Sequence, residues 1–327
     1  MDSGKSKTIN TVLIGVGRIG FSFENDVLRK KPASHLGALR HLGEFINTTA
    51  ICDIDQNKLT AATNWFAVNN EFLTEPFLKT NSYREAINTH PDLIVIATPP
   101  ETHFDIIKYT CSLAVINRPA VIFCEKPLGM DGEEAFKASE LCKSKNITLA
   151  VNYTRRFTNF WNRVRAYDVG KLGPVKLFSG VYSGDPRNVG VHMADLACWW
   201  DAEDICIKQV NTDRVVFEVQ LWFEKHLIMV RSNGLEACFY DSGRSTRFQG
   251  VYEYSHKPIS FITPHTDENQ PLLNAYLNII NNIKFGDKLG CLGDDAVNAE
   301  TVIDVLVKRL EDKPVTKNHI KNRGLID

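Results

Sequence analysis

Short, nearly continuous apolar runs alternate with amphipathic stretches through the first half of the chain. The runs lie at 11–14, 49–52, 93–97, 121–124 and 147–151. Each is four or five residues long, as expected of strands buried on both faces. Between them the spacing is helical. Leu36, Leu39 and Leu42 share a face, with Gly43 placed to end the helix; Leu59, Ala62 and Phe66 share another over 57–67; and Phe104, Ile107, Cys111 and Ala114 a third. Ser82-Tyr83-Arg84-Glu85 has the form of a capping box, and Asp131 to Glu134 can cap a helix running to about residue 145. Strands alternating with helices predict a doubly wound parallel sheet, an α/β domain over residues 1–152. Residues 21–32 follow no period, end at Pro32 and read as an insertion. Beyond residue 152 the pattern changes: Val215, Phe217, Val219, Leu221 and Phe223 alternate strictly, runs follow at 227–230, 238–240 and 251–254, and helical patterns at 271–285 and 295–311 come last. This predicts an α+β domain over 153–327 with a largely antiparallel sheet buried on one face.

Composition narrows the picture. The 327 residues are 43% apolar and 24% charged, ordinary values for a globular chain. Lys and Arg total 38 against 39 Asp and Glu, for a net charge of -1, so no nucleic-acid or anionic-membrane partner is expected; Arg29-Lys30-Lys31 reads as a solvated loop. The polar start Met1 to Lys7 lacks a secretory core and no stretch has the length of a membrane span, so the expectation is a cytoplasmic protein. The eight cysteines (Cys52, Cys111, Cys124, Cys142, Cys198, Cys206, Cys238, Cys291) are scattered, form no C-x-x-C or zinc-like cluster, and read as reduced thiols with no metal site.

Chemistry enters where strands end, because an open parallel sheet binds ligands beyond its carboxyl edge. The first strand breaks into Gly15-Val16-Gly17-Arg18-Ile19-Gly20. In this G-x-G-x-x-G turn Gly15 allows the turn, Gly17 lets a pyrophosphate approach and Gly20 permits close helix packing; a following helix N-terminus would hold the phosphates. Asp53 ends the second strand, where a carboxylate binds the adenosine ribose and repels a 2'-phosphate, favouring NAD over NADP. It lies farther from Gly20 than the usual spacing of about 20 residues, which the 21–32 insertion explains. Asp55 reads as a helix cap. Thr98, Pro99 and Pro100 follow one later strand, and Glu125-Lys126-Pro127 another. A lysine fixed between a strand end and a proline can steady an oxyanion as hydride moves, or simply pair with a carboxylate; position alone does not decide. If the stretch from Asn188 to Trp200 is helical, Asn188, His192, Asp195, Leu196 and Trp199 share one side, and His192 has the pKa range for proton exchange.

These residues resemble the Gfo/Idh/MocA family, named for glucose-fructose oxidoreductase and inositol dehydrogenase. The resemblance rests on GVGRIG at 15–20, ATPPETH at 97–103, EKP at 125–127, RRF at 155–157, GKLG at 170–173 and GVHMADLACWW from 190, and is strong to about residue 200. It implies a Rossmann domain followed by an α+β domain, with NAD(P) in the cleft between them. Gly15, Gly17, Arg18, Ile19, Gly20, Asp53, Thr98, Pro99, Pro100, His103, Glu125 and Lys126 are the implied cofactor contacts. Lys126 matches the family's catalytic lysine and His192 its acid/base histidine. The family aspartate four residues before that histidine falls on Asn188, an amide that can orient the ring but supplies no charge. Asp195 or Asp185 is a candidate replacement.

The expected activity is hydride transfer between NAD and a carbinol of a sugar, polyol or nucleotide-linked sugar. The alternative is a catalytically weak or inactive NAD-binding regulator of the same fold. A tetrapyrrole substrate finds no dedicated feature. The resemblance also implies a homo-oligomer, dimer or tetramer, joined through the second sheet. Ser22, Glu24 and Arg29 of the insertion are further candidate contacts to cofactor or substrate.

Overall fold

A computed structural model describes residues 8–68, 72, 77–167, 171–264 and 270–311. The polar start at 1–7, Gly170 of the GKLG stretch and the positions after 311 lie outside the described residues.

The first sheet is six-stranded and parallel throughout. Its strands are β1 (Ile9–Ile14), β2 (Ile46–Cys52), β3 (Leu78–Thr80), β4 (Leu93–Ile96), β5 (Val121–Cys124) and β6 (Thr148–Val151), in spatial order β3-β2-β1-β4-β5-β6. The order reverses between β1 and β4, which opens a crevice at the carboxyl edge there. Around the sheet pack α1 (His35–His41), α2 (Gln56–Ala67), α3 (Tyr83–Ile87), α4 (His103–Ser112) and α5 (Gly132–Ser144). The capping residues act as read: Asp55, Ser82 and Asp131 each accept from backbone N–H groups of the first turn. In the Ser82 box the reciprocal bond is missing, because Glu85 takes the Thr80 hydroxyl at 2.5 Å.

After a short α6 (Asn159–Ala166) the second sheet begins. It is ordered β12-β11-β10-β9-β7-β8, with β13 beside β11. The strands are β7 (Leu177–Ser183), β8 (Asp204–Val210), β9 (Phe217–Trp222), β10 (His226–Arg231), β11 (Glu236–Arg244), β12 (Tyr252–Tyr254) and β13 (Ser260–Ile262), and α7 (Val191–Trp199) lies between β7 and β8. All pairings are antiparallel except β7 with β8. Alternation along β9 buries Phe217, Val219 and Leu221 against Phe178, Ile228 and Phe239.

The last two helices, α8 (Pro271–Phe285) and α9 (Gly293–Glu311), return to the first domain. Leu272, Tyr276, Ile279, Ala296, Ala299 and Ile303 are buried in one core with Leu13, Leu36, Phe123 and Val151. The sheets divide near residue 152; the cores do not, since the first is completed by residues after 270. Among the described residues, no helix is long and apolar enough to cross a membrane. Of the eight thiols six are buried, Cys198 is half-buried and Cys206 is exposed.

Candidate active site

The glycine turn divides its work among three residues. Gly15 has φ of +97°, and a Cβ there would meet the Ala97 carbonyl carbon at 2.6 Å. A Cβ on Gly20 would collide with the Gly15 carbonyl oxygen, so Gly20 is needed for the turn to close on itself. At Gly17 a Cβ would meet nothing within 4 Å. Gly17 therefore leaves backbone open toward the cleft, a cradle of the kind a pyrophosphate needs. Asp53 braces the turn: one carboxylate oxygen accepts the Val16 N–H at 2.7 Å and the other the Asp55 N–H at 2.8 Å.

The helix expected directly after the turn is interrupted. Phe21 and Ser22 both donate to the Gly17 carbonyl, a 3-10 turn covers Ser22–Asn25, and the first α-helix waits until His35. The insertion is internally bonded. Glu24 accepts the Ala33 N–H and the Ser34 hydroxyl, Lys31 donates to the carbonyls of Phe23 and Asp26, and Arg29 pairs with Asp26 and lies 3.8 Å over the Phe23 ring. Ser22, Glu24 and Arg29 are thus not at the cleft; Phe23 is.

The Glu125-Lys126-Pro127 corner is held from four sides. Glu125 Oε1 faces His35 Nε2 at 2.9 Å and accepts from Asn152 Nδ2 at 2.6 Å, while His35 Nδ1 meets the Tyr276 hydroxyl at 2.9 Å. Burial would push the Glu125 carboxyl up, but the bonds from His35 and Asn152 and the nearby charges outweigh it and hold the pKa below the ordinary value. His103 spans the two strand-end loops, its ring nitrogens 2.9 Å from the Thr98 carbonyl and 3.0 Å from that of Pro127; burial lowers its pKa. Leu128 and Gly129 donate their N–H groups to the two oxygens of buried Glu300, on α9, which also accepts from the Tyr153 hydroxyl at 3.3 Å.

Lys126 extends from this corner to the turn before α7. Its ammonium donates to the Asn188 carbonyl oxygen at 2.9 Å and to the amide Oδ1 at 2.7 Å. Burial is the main influence lowering its pKa. Asn188 is itself fixed by Asp185, which accepts its N–H at 2.8 Å. One turn on, His192 is buried edge-on to the Tyr153 ring, and its Nδ1 has no hydrogen-bond partner. Burial, then the charges of Arg155 and Lys126, push its pKa well below the ordinary histidine value, so the ring is neutral.

Asp195 does not replace the orienting carboxylate. Its Oδ1 accepts from Arg156 Nε at 2.8 Å and forms an ion pair with the Nη2 of the same guanidinium, also at 2.8 Å, inside the domain junction. Arg156 also pairs with Asp295 at 3.0 Å. Burial raises the Asp195 pKa to about 6.

A cleft of about 640 Å³ opens between the glycine turn and α7. Gly17, Arg18, Ile19, Thr98, Pro99, Pro100, Glu125, Lys126, Asn188 and His192 all line it. Gly15, Gly20, Asp53, His103 and Asp195 stand behind its walls. Sequence reasoning missed His35, Asn152, Tyr276, Glu300, Arg156 and the lining residues Phe23 and Arg187. Of these Arg156 sits in a motif quoted from the sequence, and Phe23 and Arg187 adjoin residues singled out there; the others are brought to the site by packing between segments distant in the chain.

The Rossmann-fold part matches a family model described as an oxidoreductase family with an NAD-binding Rossmann fold, over residues 9–153. Inositol 2-dehydrogenase of Rhizobium meliloti is 24% identical over 267 residues, covering 68% of this chain and 79% of that protein. Two solved structures share the fold. An oxidoreductase from Agrobacterium radiobacter, in complex with NAD+, L-tartaric acid and magnesium, aligns with a TM-score of 0.63 at 13% identity over 91% of this chain and 95% of its own. The transcriptional regulator Gal80p from Kluyveromyces lactis aligns with a TM-score of 0.67 at 12% identity over 95% and 94%.

Proposed function

We propose that the chain, whose residues 9–153 match the NAD-binding Rossmann part of the Gfo/Idh/MocA oxidoreductases, transfers hydride between NAD and a carbinol carbon of a sugar, polyol or nucleotide-linked sugar. The observation that carries this reading is that Lys126 and His192, from different domains, line one cleft with the open backbone of Gly17. Bound nicotinamide would supply the hydride acceptor or donor. Two Lys126 protons are engaged by Asn188, which leaves the third to donate to a substrate oxygen as negative charge develops there. Neutral His192, which lines the cleft, can take the carbinol proton on its imidazole. Asp53 at the end of β2 favours NAD over NADP by charge.

We assign Asp195 and His103 to positioning. Asp195 acts through Arg156 and His103 through the carbonyls of Thr98 and Pro127. We also propose assembly as a homo-oligomer through the outer face of the second sheet, where Leu177, Trp222, Leu227 and Tyr240 stand side by side across four strands. Light scattering of the purified protein tests this, a monomer removing it.

The test of function is to follow nicotinamide absorbance with the purified protein across sugars, inositols and nucleotide sugars. Turnover on any of them supports the reading; NAD binding with no hydride transfer across the whole panel overturns it. In that event Asn188, an amide one turn before His192 where the family resemblance implies a carboxylate, would favour the alternative of a cofactor-binding regulator, tested by NAD-sensitive capture of a protein partner.

A further inference from the structure

The two ends of the cleft differ in charge. Gly17, Arg18 and Ile19 form one end, beside the switch point of the sheet; Thr154, Asp185, Asn188 and His192 form the other. At this second end the cations feel carboxylates only at a distance, Lys126 those of Glu125 and Asp185 and Arg155 that of Asp195. The contacts of the Lys126 ammonium are two neutral oxygens of Asn188. Arg155, next to Thr154, lies 3.9 Å over the Phe217 ring and has no hydrogen-bond or ion-pair partner among the described residues. Both charges act on His192, which is 9% exposed, lines the same space and has a buried Nδ1 without a partner.

The neighbouring carboxylates are largely committed. Glu125 is bonded to His35 and Asn152, Asp195 to Arg156, and Asp304 to Arg187. Asp185, the remaining carboxylate at this end, accepts the Asn188 N–H. Two desolvated cations, Lys126 lining the cleft and Arg155 next in the chain to the lining residue Thr154, with no carboxylate in contact, are an unfavourable arrangement that an incoming anion relieves and a neutral polyol does not.

We propose that the substrate carries an oxyanion, a carboxylate or a phosphate, whose charge is met by Arg155 and Lys126 while its carbinol reaches His192. This rests on reading the cleft as a hydride-transfer site and narrows the substrate to acidic or phosphorylated sugars. The planar guanidinium on an aromatic face is suited to either anion, as a paired donor.

The test is calorimetric titration of the NADH-loaded protein with D-glucuronate, D-glucose 6-phosphate and neutral D-glucose. At least one anion is expected to bind about tenfold to a hundredfold more tightly than glucose. That preference should shrink with added salt. Which anion wins separates carboxylate from phosphate recognition. Arg155→Met should erase most of the preference with NADH affinity kept, Arg155→Lys should recover part of it, and Asn188→Asp, which sets a carboxylate against Lys126, should weaken it independently. Glucose binding as well as both anions, no probe binding, or an undiminished preference in both Arg155→Met and Asn188→Asp overturns the proposal. Hydride transfer is read separately. Anion preference without turnover upholds the charge assignment and removes the dehydrogenase reading; turnover on glucose without anion preference does the reverse.

Discussion

Lys126 and Glu300 show how much a single residue's setting decides. Replacing Lys126 by Ala removes the proposed donor to the reacting oxygen but leaves the glycine turn intact, so turnover should fall by roughly a hundredfold or more with NADH affinity unchanged. Steady-state rates paired with NADH fluorescence check this; unaltered turnover would remove Lys126 from the chemistry. Glu300 predicts a pH effect. Burial raises its pKa from 4.5 to about 8, so the folded protein keeps a proton that the unfolded chain has lost. Stability should therefore decrease as pH rises through this window. His192 and His103, held neutral by burial, act in the opposite sense, but only below the ordinary histidine value of 6.5. Between about pH 6.5 and 8 the wild type should lose on the order of 2 kcal/mol relative to Glu300→Gln, measured by urea unfolding. Lys126 and His192 were legible in the sequence as cleft residues because one follows a strand end and the other sits on a helix with a recognisable pattern; Asn188, in the turn before that helix, was legible from its spacing to His192. Glu300 was not, since nothing local marks a carboxylate in an amphipathic helix that will be buried against a loop more than 170 positions earlier.

Among the elements, the glycine turn and its insertion are the most informative. Gly20→Ala drives a methyl into the Gly15 carbonyl and should cost about 3 kcal/mol. Gly17→Ala meets no atom, so stability should stay within about 0.5 kcal/mol of wild type while NADH binding weakens. Thermal unfolding with and without NADH separates the two; equal loss of stability in both variants would deny Gly17 its cofactor role. Five of the six strands of the first sheet were readable because both their faces are buried, giving uninterrupted apolar runs; the edge strand β3, with Leu78 and Lys79 exposed, was missed. Strands β7 and β8 were missed because their outer faces keep polar residues such as Ser179, Ser183 and Lys208, and Gly180 interrupts β7 where a Cβ would press on Met193. The insertion has no sequence period because its order comes from side chains bonding to backbone, as with Glu24 and Lys31.

In the whole molecule, the two sheets are tied by more than one chain crossing. Arg156 binds Asp195 of α7 and Asp295 of α9, and Arg187 pairs with Asp304 of α9. Unfolding should accordingly be one cooperative event. Fluorescence from Trp161, Trp199, Trp200 and Trp222 of the second domain should change at the same urea concentration as NADH release from the first; two separated transitions would refute the coupling. The sequence pattern located two sheets but not this interlock, because an amphipathic helix reads the same whichever domain its apolar face covers.

The return of α8 and α9 also sets an order of events during synthesis. A chain still emerging from the ribosome has made β1 to β6 and the whole second sheet before Tyr276 can cap His35 or Glu300 can receive the N–H groups of Leu128 and Gly129. The nascent Rossmann half must wait, partly open and with apolar surface uncovered, for helices translated after the whole second sheet; the corner bearing Lys126 gains its full support only then.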